Sequence, residues 1–342
     1  MPVFRSLPLR LLVGPVLCLL AGCSPAGPPA GLPTASPTSA PLRASPTSTA
    51  AAPPTVPAPL TLAAATPGAS PLPLLQPPTP GASPLPPLQP PTPAPTLTLA
   101  RPPCWEQGGR KVDGLLETEL LRQPLEYLVY LPPCYDEQPE RRYPVLYLIH
   151  GQSYNQDQWD RLGADEAMDR LVASGELPPF LIVMPRDRVW TQPSEDPFGQ
   201  AVIEVLIPLV DRVYRTLPER TYRAVGGLSR GGGWAVHFGL NYPHLFGALG
   251  GHSPAVFHED TGRLRLLLSE TPVESLPRIY LDIGERDRPE ILRSALWLEE
   301  LLTGLNIPHS WRLFTGYHEE AYWSAHVESY LRWYAQEWQV DL

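Results

Sequence analysis

Seven short apolar runs rich in β-branched and aromatic residues punctuate the chain after residue 102: Leu125–Leu131, Tyr143–Ile149, Phe180–Met184, Tyr222–Val225, Leu245–Leu249, Arg278–Ile283 and Ser310–Phe314. Their length and composition predict strands. Between most of them the apolar spacing becomes helical, over Ala164–Ala173, Gln200–Thr216, Gly231–Leu240, Glu290–Leu305 and Ala321–Glu337. Val145–Ile149 and Phe180–Met184 are unbroken apolar runs, the signature of strands covered on both faces. The alternation predicts an α/β domain with a mostly parallel central sheet and helices on both faces. The first two runs are joined with no room for a helix, which predicts an antiparallel start.

No such pattern precedes residue 102, and composition explains why. Of the 47 Pro residues, 27 lie in residues 1–101, a stretch without a single Asp or Glu. Proline removes backbone donors and a charge-poor Pro/Ala/Ser/Thr chain cannot nucleate a core. Pro67–Thr79 recurs almost unchanged as Pro80–Thr92, a repeat with no helix or strand period to stack. The expected organisation is therefore a signal segment over 1–22, a Pro-rich disordered tether over 23–101 and one folded domain over 102–342. That domain holds 22 basic and 35 acidic groups, a net −13. It has no concentrated basic face, so nucleic acid is not expected as a partner.

Arg5 and Arg10 precede a ten-residue apolar stretch, Leu11–Leu20, too short to span a bilayer of about 30 Å. It ends in Leu20-Ala21-Gly22-Cys23, which resembles the lipobox of bacterial lipoproteins. That resemblance implies export, cleavage before Cys23 and a lipid anchor on its sulfur at the cell surface or in the periplasm. An ordinary secretory signal or a transmembrane anchor is the alternative. Cys104 and Cys134 remain for the domain. In an exported protein two cysteines are expected to pair, with two free thiols as the alternative; their spacing does not suit zinc.

Ligands of open α/β sheets bind at the carboxyl ends of the strands, so chemistry is expected just after each run. Tyr222–Val225 leads into Gly227-Leu228-Ser229-Arg230-Gly231 and then a helical pattern. This is a G-x-S-x-G elbow in its strand–turn–helix context; a Gly-rich turn with a capping Ser is the plainer alternative. Tyr143–Ile149 leads into His150-Gly151-Gln152-Ser153. The backbone N–H groups of Gln152 and Arg230 are candidates for an oxyanion hole, and His150 is expected to shape the loop rather than act as base. Arg278–Ile283 leads into Gly284-Glu285-Arg286-Asp287. Asp282, Glu285 and Asp287 compete there as the acid, with Asp287 preferred and Glu285 next. Ser310–Phe314 leads into Gly316-Tyr317-His318, which places His318 as base, with His326 further on as a packing residue. The order Ser229, Asp287, His318 is that of an α/β-hydrolase.

These motifs, with Tyr143-Pro144-Val145-Leu146-Tyr147-Leu148-Ile149-His150-Gly151 and Tyr322-Trp323, resemble the putative esterase family of α/β-hydrolases. That family contains esterase D, feruloyl esterases, enterochelin-type esterases and the antigen 85 mycolyltransferases. The resemblance covers roughly residues 115–338. It implies an α/β-hydrolase fold with Ser229 as nucleophile, His318 as base, Asp287 as acid, and Gln152 and Arg230 as oxyanion donors. It implies a small-molecule or polysaccharide-linked ester as substrate, and no metal or organic cofactor. The Arg230 side chain is expected to face a surface carboxylate or a polar substituent of the substrate. An acyltransferase of the same fold is the alternative, and a non-catalytic surface binding module the third reading. The Trp-bearing segments 152–159 and 189–197 and the loop 251–254 either line the site or pack ordinarily.

Overall fold

The computed structural model describes residues 103–338. The signal segment, Cys23 and the tether of residues 23–101 lie outside the described residues. Within them, eight strands form one sheet: β1 (Arg110–Leu116), β2 (Leu125–Leu131), β3 (Val145–Ile149), β4 (Leu181–Pro185), β5 (Arg223–Leu228), β6 (Ala248–His252), β7 (Arg278–Gly284) and β8 (Ser310–Phe314). The helices are α1 (Gln158–Arg161), α2 (Ala164–Ser174), α3 (Pro197–Gln200), α4 (Ile207–Val213), α5 (Arg230–Asn241), α6 (His258–Glu270), α7 (Pro289–Gly304) and α8 (Glu320–Tyr334).

The strand order is β1-β2-β4-β3-β5-β6-β7-β8. Strands β3 to β8 run parallel, and β1 and β2 add an antiparallel edge through β2–β4. The antiparallel start is thus present, but β2 pairs with β4 and not with its sequence neighbour β3. From β3 the chain first adds β4 on one side and then β5 on the other. That reversal makes the β3/β5 carboxyl ends a topological switch point, where the helices on either side diverge and leave a crevice.

Alternate residues of each strand feed two cores. Val145, Tyr147, Val225 and Leu281 pack with α5, α6, α7 and the α3–α4 segment. Leu146, Leu148, Ala224 and Tyr280 pack with α2 and α8. Helices therefore cover both faces, as the unbroken apolar strands require.

Several elements depart from the sequence expectation. The segment read as one helix, Gln200–Thr216, is α3, a π-helical stretch over Ala201–Leu206, and α4. Pro208 lacks the N–H that would continue an α ladder, and widening the preceding turns accommodates it. Strands β5 and β6 run three residues past their apolar runs, because Gly226, Gly227, Gly250 and Gly251 pair in register without contributing apolar side chains. Strand β1 is exposed along most of its length and so carries no apolar run. Helix α6 buries only Asp260, Leu264 and Leu268, too thin a stripe to read as a period. Among the described residues no helix is long and apolar enough to cross a membrane.

Cys104, in a short 3₁₀ turn before β1, is joined by a disulfide to Cys134, which follows β2, across 30 residues. Closing a loop of that length restricts the unfolded chain by about 3.6 kcal/mol in the chain-entropy model. Replacing both cysteines with Ala should lower unfolding stability by about that amount. Urea titration of the oxidised protein and the double variant checks this, and equal stabilities would refute it.

Candidate active site

Ser229 sits between the last residue of β5 and the first of α5, with φ 55° and ψ −119°. A non-glycine residue held there costs of order 1–3 kcal/mol and persists only where its surroundings over-determine it. They do here. The Ser229 N–H donates to His252 O at 2.9 Å, and its carbonyl accepts from Gly233 N and Ala255 N, both at 3.0 Å. A Cβ on Gly231 would overlap the Ile149 carbonyl, and one on Gly227 would overlap the Gly231 carbonyl. Only glycine lets α5 begin this close to β3.

His318, in the loop after β8, places Nε2 2.9 Å from Ser229 Oγ. Trp323 meets the ring edge-to-face with centroids 4.9 Å apart. Asp287, in the turn after β7, brings Oδ1 to 2.7 Å from His318 Nδ1. That approach lies off the ring N–H direction, and Asp287 Oδ2 has no hydrogen-bond partner; such contacts commonly tighten when substrate binds. Asp287 Oδ1 is itself fixed by the N–H of Arg288 at 2.6 Å. Three strand ends thus bring Ser229, His318 and Asp287 together.

The competing acids are elsewhere. Glu285 is largely solvent-facing and pairs with Arg286 at 3.4 Å. Asp282 is fully buried. It receives His252 Nδ1 at 2.6 Å, Tyr322 OH at 2.6 Å and Tyr330 OH at 2.7 Å. With Nδ1 donating, His252 Nε2 accepts the Tyr334 hydroxyl at 3.0 Å. Tyr334 fits because Gly226 and Gly250 have no Cβ; either would overlap its hydroxyl. This second Asp–His pair ties β6 and β7 to α8, and the loop 251–254 that contains His252 and Ser253 is buried packing. His326 stacks on Phe314 with centroids 4.4 Å apart, a packing role.

His150 shapes its loop. Its Nε2 accepts the Asp187 N–H at 2.9 Å, so Nδ1 carries the proton and donates to Gly151 O at 2.7 Å. Burial pushes the imidazole pKa down, which keeps it neutral. Gln158, also buried, accepts the Gly151 N–H at 2.8 Å. A methyl on Gly151 would lie 3.6 Å from Ser229 Cβ, so this loop passes close to the serine. Arg230 is the first residue of α5, where the helix leaves N–H groups unpaired. Of the Trp-bearing segments, Trp159 is a core residue whose Nε1 donates to Ile149 O at 3.0 Å, whereas Trp190 is 53% exposed.

The Arg230 side chain corrects the expectation: it faces neither a surface carboxylate nor the substrate position. It is buried and donates to Asp187 Oδ2 at 2.7 Å, Asp196 Oδ2 at 2.8 Å, Val189 O at 2.8 Å and Thr191 O at 2.9 Å. Asp187 also accepts Trp234 Nε1 at 2.9 Å. One guanidinium therefore clamps the whole segment after β4. Sequence reasoning missed Asp187 and Asp196. Asp187 follows a strand end and so carried a positional signal, but nothing in the sequence pairs it with Arg230. Among the described residues no cluster of three or more His, Cys, Asp or Glu side chains could hold a metal ion.

The family model described as Putative esterase matches residues 118–336. The chain belongs to the Putative esterase family. An endo-1,4-β-xylanase/feruloyl esterase of Xylanibacter ruminicola is 30% identical over 174 residues, covering 47% of this chain and 23% of the relative. An endo-1,4-β-xylanase Y of Acetivibrio thermocellus is 30% identical over 116 residues, covering 30% of this chain and 10% of the relative. The match thus spans less than a quarter of either relative's length. Among solved structures, a ferulic acid esterase superposes with TM-score 0.60 at 24% identity, covering 67% of this chain and 99% of that one. The S-formylglutathione hydrolase of Staphylococcus aureus superposes with TM-score 0.55 at 15% identity, covering 66% and 99%. These likenesses establish the α/β-hydrolase fold.

Burial, and then the neighbouring Asp187 charge, push the Asp196 pKa up to about 6. A carboxyl whose folded pKa lies above its unfolded value binds more protons when folded. Its stabilising contribution is complete near pH 4 and is lost as pH rises through 6. Asp196→Asn should therefore be least favourable, relative to the parent, at pH 4 and recover towards pH 7. Urea unfolding at the two pH values reads this, and an offset that does not change with pH would contradict it.

Proposed function

We propose that the protein is a serine carboxylic-ester hydrolase that works through an acyl-enzyme. The observation that carries the reading is the Ser229 Oγ–His318 Nε2 contact at 2.9 Å with Asp287 against the far ring nitrogen at 2.7 Å. In this mechanism His318 Nε2 takes the Ser229 proton as Oγ attacks the ester carbonyl carbon. Asp287 stabilises the imidazolium. The N–H groups of Gln152 and Arg230 receive the charge that develops on the carbonyl oxygen. Collapse expels the alcohol, which takes the proton from His318, and water then repeats the sequence to release the acid. The names of the relatives and neighbours make feruloyl esters of polysaccharides the first substrates to test.

We also propose export and lipid anchoring at Cys23, with the Pro-rich segment as spacer. The Cys104–Cys134 disulfide within the domain supports an oxidising compartment.

Ser229→Ala should reduce hydrolysis of 4-nitrophenyl acetate and methyl ferulate by several orders of magnitude and abolish labelling by a fluorophosphonate probe. Asp287→Asn should cost roughly 10³–10⁴ in kcat, and Glu285→Gln little. Parent-like turnover in Ser229→Ala would sink the assignment.

A further inference from the structure

Asp187 lies two residues beyond β4 and is buried. Strand β3 separates β4 from β5, yet this one residue bonds both to the loop of β3 and to the helix that follows β5. Its N–H donates to His150 Nε2 at 2.9 Å, and His150 opens the loop after β3. Its Oδ2 accepts Arg230 Nε at 2.7 Å and Trp234 Nε1 at 2.9 Å, both from α5. Its Oδ1 accepts the Val189 N–H at 3.1 Å. The two stretches so joined hold Gln152 and Arg230, the proposed oxyanion donors, and both lie against Ser229.

The bonds of this brace are chemically selective. His150 commits Nδ1 to Gly151 O at 2.7 Å, which leaves Nε2 as the acceptor for the Asp187 N–H. Arg230 is ionised, so its bond to the carboxylate is charge-assisted and about twice as strong as a neutral one. An amide at position 187 could not replace it. With the amide oxygen towards Arg230 and Trp234, its NH2 group would meet the Val189 N–H, donor against donor. Asp196, the other carboxylate on Arg230, has the Phe198 N–H as its second partner, so it ties α5 to its own segment and not to the β3 loop.

A backbone N–H has no rotamer to adjust. Its position is set by whatever holds its stretch of chain, and an error of about 1 Å in a reacting geometry costs on the order of 10²-fold in rate. We propose that Asp187 is a positioning residue of the reaction, a brace that keeps the β3 loop and the start of α5 in register so that both N–H groups serve one oxygen. Its part in catalysis rests on the ester-hydrolase reading; the brace itself does not.

The test uses the full-length chain, with active sites counted by fluorophosphonate titration. Asp187→Asn should lower kcat per titrated site on 4-nitrophenyl acetate by about 10²-fold with KM unchanged, the mark of an interaction made only in the transition state. The inhibition constant of an aryl trifluoromethyl ketone, whose serine adduct carries the same oxyanion, should rise by a similar factor. His150→Gln keeps an acceptor for the Asp187 N–H and should retain most of the rate, whereas His150→Leu should lose it as Asp187→Asn does. The two arms act in series, so Asp187→Asn combined with His150→Leu should lose no more than either alone. A residue that merely stabilises the fold would lower the number of titrated sites and leave kcat per site at the parent value. That result, or additive losses in the double variant, would overturn the proposal. Where Asp187→Asn does not fold, the His150 variants decide, and equal rates in the two would refute it. Hydrogen exchange reads the brace without catalysis: amides of residues 150–154 and 229–233 should exchange faster together in Asp187→Asn, and parent-like exchange in both speaks against it. Faster exchange in a protein that hydrolyses no ester would leave the brace standing and count against the hydrolase reading.

Discussion

Helix α5 begins so close to β3 that a side chain at Gly231 would overlap the Ile149 carbonyl, and much of the site's geometry depends on that approach. To turn from β5 into a helix packed this tightly, the chain must pass through one residue at φ 55°. That residue is Ser229, and the turn lifts its side chain to the carboxyl edge of the sheet. The same approach lays the β3 loop alongside the serine. Strain at the serine is offset by three backbone hydrogen bonds, one to β6, one from the loop that follows it and one from the first turn of α5. The site is thus held by main-chain packing, which substitutions on the rim leave intact.

The end of β7 supplies two acids to two imidazoles, and burial separates their uses. Asp282 lies within the strand and is surrounded by donors from His252, Tyr322 and Tyr330. Three donors on one carboxylate satisfy its charge, leaving a rigid joint between the sheet and α8 with no route to solvent. Asp287 lies past the strand end, keeps one oxygen without a partner and faces a histidine that touches Ser229. The buried joint nonetheless serves the open pair. Tyr322 precedes Trp323, whose ring packs against His318, so the Asp282 bond to Tyr322 helps fix the surface that the histidine leans on.

What was legible in the chain follows from which forces act locally. Strands β2 and β8 were readable to the residue, because apolar side chains coincide with pairing. The ends of β5 and β6 were not, since their glycines are there to admit Tyr334 and α5 and carry no period. The β2–β4 pairing was hidden for a related reason: connection length limits which strands can be neighbours without choosing between β3 and β4. Ser229 and His318 stood out through motif and strand-end position. Asp282, Glu285 and Asp287 could be ranked but not resolved, because the choice depends on which side of the sheet each side chain leaves. The partners of Arg230 were out of reach, being 34 and 43 residues away in a loop without regular structure.

Arg230 shows why a position next to a nucleophile can carry a long charged side chain without placing charge in the reaction. Two buried carboxylates, Asp187 and Asp196, lie close together, and the charge of Asp187 adds to burial in disfavouring ionisation of Asp196. Without a shared cation they would leave uncompensated charge in the interior, which is strongly destabilising. The guanidinium answers both and also takes two carbonyls of the same segment, so its donors are used in one rigid constellation. Its backbone N–H, meanwhile, lies in the first turn of α5 and is one of the two donors proposed for the developing oxyanion. Any shift of the segment after β4 must then act on the start of α5, and through it on that donor. One residue thereby links that segment to the geometry of the serine, a coupling made of direct hydrogen bonds rather than of distance alone.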